Sequence, residues 1–157
     1  MLGSARVKRN LVLIVFLSVA CSGQSRPIEE LPSYRLGEIK IVPYSQRTNT
    51  FLEEIRDDRK SEFWNELNLS LFVSVEVSGK AGSYSSDRRV EVTAYEGGRQ
   101  ILRRVARIGV IDENTGKYYV PVWLYGPFCL PVTIRAKLLG QQSTSQLERN
   151  LTFECGE

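Results

Sequence analysis

The clearest pattern in the chain is an alternation of apolar and polar residues that runs from position 67 almost to the C-terminus. It is most regular between Leu67 and Ser78, where the apolar positions are Leu67, Leu69, Leu71, Val73, Val75 and Val77. A repeat of two places all of these side chains on one face of an extended strand. This segment gives the strongest strand signal in the protein.

Similar but shorter patterns predict further strands on both sides of this one. The predicted strands cover 37–44, 67–78, 88–95, 100–111, 117–125, 130–139 and 147–155. Turn residues separate them, and Gly97-Gly98 offers the positive φ that a two-residue hairpin needs. The segment 46–66 does not alternate. Its apolar residues fall roughly at helical spacing among charges, so we expect a short helix or an irregular insertion there.

Seven short strands at regular spacing are typical of an all-β sandwich. We therefore expect residues 37–157 to form an antiparallel sandwich of about seven strands. The pattern resembles the immunoglobulin and fibronectin III architectures. This likeness concerns the architecture alone and implies no functional residue. A closed barrel is the structural alternative.

The first twenty residues form a pattern of a different kind. Three basic residues (Arg6, Lys8, Arg9) precede the apolar run 11–17, and small residues follow it. This order is typical of a secretory signal peptide. The apolar run is about half the ~20 residues that a membrane-spanning helix requires.

The signal peptide ends in Leu17-Ser18-Val19-Ala20-Cys21, which resembles the lipobox of bacterial lipoproteins. The resemblance implies a lipid on Cys21 and a protein held in the cell envelope, on a bacterial membrane. Ser18 stands where the family usually has Leu. Ser18 and Ala20 also fit an ordinary secretory cleavage site, so a secreted soluble domain is the alternative. Residues 21–36, which contain two prolines, are predicted to be a tether.

The cysteine count fits this interpretation. The chain has three cysteines, and a lipid on Cys21 leaves Cys129 and Cys155 as a pair. A hairpin folded near position 142 brings these two opposite each other, which predicts a disulfide worth about 3–4 kcal/mol. Regular alternation, however, places Cys129 on the outer face and Cys155 on the inner one. We therefore expect either a bulge at Pro131 or an irregular start of that strand.

Composition narrows the function. The chain has 21 Lys and Arg against 18 Asp and Glu. Because the signal peptide holds three of the basic residues and no acid, the mature chain is neutral, and its charge gives no reason to expect a nucleic-acid partner. The chain contains no histidine, which removes the commonest general base and zinc ligand. We therefore expect no enzyme activity, cofactor or metal. The predicted function is a binding or structural module for an envelope protein or glycan.

Two surfaces are candidates for binding. In 117–125 the residues Tyr119, Trp123 and Tyr125 share one face, which suits stacking on sugar rings or protein docking. The alternative is that the insertion 46–66 covers this face with its own aromatic residues, Phe51, Phe63 and Trp64.

The second candidate surface is basic and comprises Arg88, Arg89, Arg99, Arg103, Arg104 and Arg107. Arg99, Arg103 and Arg107 are its candidate binding residues, because arginine binds phosphate or carboxylate groups in a bidentate manner. The alternative is a solvated face whose charge protects an edge strand from aggregation.

Two other classes of function stay open. A hydrolase could use carboxylates near strand ends, and the candidates are Glu91, Glu96, Asp112 and Glu113. Two Asn-x-Ser/Thr triplets, beginning at Asn68 and Asn150, keep a eukaryotic secreted glycoprotein possible.

Overall fold

The structure, a computed structural model, describes residues 33–56, 68–142 and 145–153. The predicted signal peptide, Cys21 and Cys155 lie outside these ranges. Export, lipidation and the disulfide therefore stay predictions.

The described residues form eight strands in two antiparallel sheets. The strands are β1 (Arg35–Ser45), β2 (Thr50–Phe51), β3 (Leu69–Ser78), β4 (Arg89–Glu96), β5 (Arg99–Arg107), β6 (Lys117–Tyr125), β7 (Val132–Leu139) and β8 (Gln146–Leu151). Sheet A has the order β2-β1-β3-β6, and sheet B has the order β5-β4-β7-β8. The predicted all-β sandwich is confirmed, and the alternative of a single closed barrel is wrong. Each of the seven predicted strands is present, and β2 is additional.

The chain crosses between the sheets after β3, β5 and β6, which makes the topology a Greek key. In sheet A the neighbours are β1, β3 and β6, and in sheet B they are β4, β7 and β8. This is the strand order of the A-B-E and C-F-G sets of an immunoglobulin sandwich, with β5 added beside β4.

The core lies between the two sheets and follows the predicted alternation. On β3 the residues Leu71, Val73, Val75 and Val77 are fully buried. They face the inward residues of sheet B, which are Val90, Val92, Ala94, Val132, Ile134, Ala136 and Leu138. Aliphatic and mostly β-branched side chains therefore fill the space between the layers, as expected for a pleated, buried surface.

The described part of the insertion 46–66 contains no helix. Residues 46–49 form a turn, β2 pairs with the end of β1, and the chain then continues extended beside β1. The amide of Leu52 donates to the carbonyl of Pro43, and the amide of Ile55 donates to that of Ile41. The free edge of β1 thus satisfies backbone groups that a helix would have paired internally, and Ile55 enters the core.

Two strand boundaries differ from the predicted ones. β5 ends at Arg107 instead of 111, because the chain turns to bury Ile108 and Ile111 completely. β7 begins at Val132 instead of 130, and Leu130 before it is 53% exposed. The chain at Cys129 is therefore irregular, as one of the two explanations for the face of Cys129 predicted, and the pairing with Cys155 stays a prediction.

The side chain of Arg149 links the two sheets through hydrogen bonds to backbone carbonyls. Arg149 of β8 donates through Nη1 to the carbonyl of Ile39 in β1, and through Nη2 to the carbonyl of Ile55, each at 2.9 Å. Ile39 lies in β1, and Ile55 lies in the extended segment beside β1, so Arg149 joins β8 of sheet B to this side of sheet A. Because a guanidinium has donors in a fixed fork, one residue can hold both segments.

Replacing Arg149 with Met tests this link. The aliphatic stem is kept but two charged hydrogen bonds are lost, so we expect the free energy of unfolding to fall by about 2–3 kcal/mol. Urea unfolding measures this as a lower midpoint with an unchanged slope. Arg135→Met, which breaks an exposed ion pair with Glu148, is the matched control and should leave the midpoint unchanged. Equal midpoints for the two variants would contradict the role of Arg149.

Candidate binding site

The outer face of sheet A carries aromatic residues on three neighbouring strands at one end. The strand register places Tyr44 of β1 opposite Ser70 of β3, and Ser70 opposite Tyr125 of β6. In the next outward-facing row Phe72 of β3 lies opposite Trp123 of β6. Alternation on three paired strands thus brings together residues that are far apart in the sequence.

Trp123 lies at the centre of this cluster. Its ring centroid is 5.2 Å from that of Phe72, 5.9 Å from those of Tyr44 and Phe51, and 6.4 Å from that of Tyr125. The rings of Trp123 and Tyr125 are almost parallel, at 16°, whereas Tyr44 meets Trp123 edge-on at 89°. These are the offset and edge-to-face arrangements that aromatic pairs prefer.

An open groove of about 560 Å³ lies against the cluster, and we call it the aromatic groove. Its lining consists of Tyr44, Gln46, Asn49, Phe51, Ser70, Trp123 and Tyr125. Tyr125 is 74% exposed and Phe51 is 55% exposed, so much of the aromatic surface faces solvent. The lining contains no charged residue.

Hydrogen bonds among the lining residues hold the polar side chains of the aromatic groove in place. Gln46 donates through Nε2 to the hydroxyl of Ser70 at 3.0 Å, and the hydroxyl of Tyr44 donates to Oδ1 of Asn49. Asn49 has a φ of 56°, a left-handed conformation that asparagine tolerates better than most residues. The turn between β1 and β2 therefore fixes the amide groups of Gln46 and Asn49 at the rim of an aromatic surface.

Two of the three predicted aromatic site residues lie in the groove. Trp123 and Tyr125 contribute to its lining, whereas Tyr119 lies toward the other end of β6. The predicted cover from the insertion is present in part, because Phe51 packs on Trp123. Phe63 and Trp64 lie outside the described residues.

The aromatic site predicted from the sequence did not include Tyr44 or Phe72. Each is an aromatic residue at an outward position of its strand, where a polar residue is the ordinary choice. The alternation alone predicts that both rings lie at outward positions. It does not predict the strand order that places them beside Trp123.

Tyr119 belongs to a polar cluster on the same sheet. Its hydroxyl donates to Oε2 of Glu76 at 3.2 Å, and Nζ of Lys117 lies 2.9 Å from the same oxygen. Glu76 is only 6% exposed, and a Cβ on Gly37 would lie 2.5 Å from its Oε1. The hydrogen bond that Lys117 donates to Glu76 raises the pKa of Lys117 above its usual value. This cluster is an internally satisfied ion pair that covers the other half of the sheet.

The predicted basic residues do not form one continuous site. β5 is an edge strand, and Arg103 and Arg107 point to the outer face of sheet B. Arg103 is paired with Glu91 at 2.7 Å. Arg99 lies at the start of β5, opposite Glu96, and Arg88 is only 8% exposed.

Arg104 occupies an inward position of the same edge strand, opposite Val92, and is exposed. Inward-pointing charge on an edge strand is a recognised means of preventing edge-to-edge aggregation. The protective interpretation made from the sequence therefore fits this residue.

The four carboxylates proposed for a hydrolase lie in different surroundings. Glu91 pairs with Arg103, and Oε1 of Glu96 accepts the backbone N–H of Cys129 at 2.9 Å. Asp112 accepts hydrogen bonds from the side chain and amide of Thr115, which lower its pKa. A general acid requires a shift in the opposite direction. None of the four lines the aromatic groove.

Among the residues that the structure describes, no three His, Cys, Asp or Glu side chains come close enough to hold a metal ion. In the same part of the chain, no helix has the length and apolar character needed to cross a membrane.

No protein-family model matches this chain, and no curated protein matches it. The geometry of the described residues is therefore the basis for the function proposed below.

Proposed function

We propose that this protein is a non-catalytic binding module of the bacterial cell envelope, anchored by a lipid on Cys21, and that its aromatic groove binds a glycan. One observation carries the proposal. Five aromatic side chains from β1, β2, β3 and β6 meet beside an open, uncharged groove on the outer face of sheet A.

The exposure of these rings supports a binding role. The core between the sheets is filled mostly by aliphatic residues and does not include Trp123 or Tyr125, so neither ring is required to close it. The other outer face, on sheet B, carries ion pairs such as Arg135–Glu148 and polar pairs such as Thr133–Asn150. A contiguous exposed aromatic surface is a usual mark of an interaction site.

The chemistry of the groove favours a neutral sugar. Pyranose rings present an apolar face of C–H groups, which packs on aromatic rings, and a rim of hydroxyls. Gln46, Asn49 and Ser70 supply neutral donors and acceptors for such hydroxyls. A volume of about 560 Å³ lies within the range of small-ligand sites.

A groove of this size fits a protein partner less well. A stable protein interface buries about 800 Å² on each side. On the same outer face, the polar cluster of Glu76, Lys117 and Tyr119 begins two rows beyond Trp123 and limits the apolar area. An envelope protein is therefore the alternative occupant that the binding experiment must distinguish.

The lipid anchor and the disulfide belong to the same proposal. The lipobox-like residues 17–21 support the anchor, and the absence of histidine supports a role without catalysis. Cys129 lies exposed in the irregular segment just before β7, where a bond to Cys155 would tie the chain end to the β6–β7 connection. Such a bond fits an oxidising compartment outside the cytoplasm.

Replacing Cys21 with Ser tests the anchor. The variant loses the sulfur that carries the lipid, so we expect it to leave the membrane fraction after a high-salt wash, whereas the natural chain stays. Fractionation followed by immunoblotting measures this. A variant that withstands the high-salt wash would show that the anchor assignment is wrong.

Replacing Tyr125 with Ala tests the groove. The lost ring removes a stacking contact worth about 1 kcal/mol, which corresponds to about fivefold weaker glycan binding. Calorimetric titration with soluble cell-wall glycan fragments measures the affinity. Tyr84→Ala removes another exposed tyrosine, from the β3–β4 loop, and should leave the affinity unchanged. If both variants bind glycans as the natural chain does, or if the natural chain binds none, the glycan assignment fails.

A further inference from the structure

The outer face of sheet B, opposite the aromatic groove, carries an excess of positive charge. Strand register places five cations there, which are Arg89 of β4, Arg103 and Arg107 of β5, and Arg135 and Lys137 of β7. The same face carries two carboxylates, Glu91 and Glu148. We call these five cations and the surface between them the cationic face.

The two carboxylates neutralise only part of this charge. Glu91 pairs with Arg103 at 2.7 Å, and Glu148 pairs with Arg135 at 2.6 Å. Arg89, Arg107 and Lys137 form no ion pair in the described part of the chain. The three are neighbours, because Arg107 lies directly opposite Arg89, and Lys137, which lies opposite Glu91, is diagonal to Arg89.

The position of Arg89 and Arg107 is unfavourable for the isolated domain. Like charges directly opposite each other on paired strands destabilise a sheet. A patch that protected an edge strand would need charge on β5 only, whereas this one extends across β4 to β7. An anion supplied from outside the chain would remove the repulsion.

The cationic face is a broad sheet surface on which three strands present long basic side chains. This shape suits an extended anionic surface, because each guanidinium or ammonium can reach a separate phosphate group. A membrane rich in anionic phospholipid is such a surface, and each Lys or Arg held near it contributes about 1 kcal/mol.

We infer that the cationic face docks on the anionic phospholipid headgroups of the membrane that carries the anchor. This inference rests on the proposed anchor for its location. The fourteen residues from Cys21 to the start of β1 reach at most about 50 Å when extended, so the anchored domain stays near the bilayer. The tether raises the effective concentration of the face at the membrane, and weak contacts then suffice.

Docking in this way orients the aromatic groove. The groove and the cationic face lie on the outer surfaces of opposite sheets, separated by the thickness of the sandwich. With sheet B on the membrane, Trp123 and Tyr125 face away from it, toward the glycan-containing space of the envelope. A freely tumbling domain would present the groove toward the membrane as often as away from it.

Vesicle co-sedimentation tests the docking without the lipid anchor. The probe is the exported chain carrying Cys21→Ser, with vesicles of phosphatidylcholine alone or mixed with phosphatidylglycerol, at low and high salt. We expect binding only to vesicles with phosphatidylglycerol, and weaker binding at high salt. Replacing Arg89, Arg107 and Lys137 together with Gln should weaken binding by about 100-fold.

A matched triple variant separates the location of charge from its amount. Arg35→Gln, Arg56→Gln and Lys80→Gln remove three exposed cations outside the cationic face and should change binding less than threefold. Circular dichroism checks that both variants fold. Equal losses in the two triples, equal binding to both vesicle types, or full competition by a soluble anionic glycan would overturn the inference. Because the probe lacks the lipid, failure here leaves the anchor and groove tests unaffected.

Discussion

Strand β3 is the element on which the rest of the structure depends. Its inward residues are apolar without exception, and its backbone is hydrogen-bonded to β1 on one side and to β6 on the other. Burying that face against β4 and β7 requires a second layer, which fixes the fold as a sandwich. Because β3 lies between β1 and β6, its outward residues have outward neighbours on both of these strands. Phe72 lies between Val42 and Trp123, and Ser70 lies between Tyr44 and Tyr125.

The inner faces of the two sheets form the core, and the outer faces differ from each other in chemistry. Sheet A exposes aromatic rings and neutral amides at one end and a closed ion-pair cluster around Glu76 at the other. Sheet B exposes charged side chains on β4, β5, β7 and β8 among neutral ones, with positive charge in excess. Two distinct surfaces on opposite sides of a small rigid domain suit a module that contacts two partners at once.

The sequence predicted the strands well because alternation is a local property. A side chain on β3 or β7 alternates whatever strand lies beside it, so the inward residues Val73 and Ile134 were identified correctly. In 46–66 the sequence left a helix and an irregular insertion open, and the described residues 46–56 are not helical. Residues 52–56 are extended because the edge of β1 accepts their backbone groups, and nothing local to these residues reveals that edge.

The sites were harder to predict, since they depend on which strands are neighbours. Trp123 and Tyr125 were found because they share one strand. Tyr44 joins them through the strand order β1-β3-β6, and Phe51 joins them through the β1–β2 turn. The proximity of Arg89 to Arg107 and Lys137 likewise depends on the order β5-β4-β7. The hydrogen bond of Tyr119 also depends on strand pairing, because its partner Glu76 lies on β3. The pattern of apolar and polar residues therefore predicts the individual strands, but not which strands pair with each other.

The proposed function requires this domain to meet its ligand on the outer face of sheet A, at Tyr125. A photo-crosslinking amino acid in place of Tyr125, activated in living cells of the host, tests this contact. We expect adducts that contain cell-wall glycan and are absent when the same group replaces Tyr84. Adducts that are the same at both positions, or that contain only protein, would contradict it.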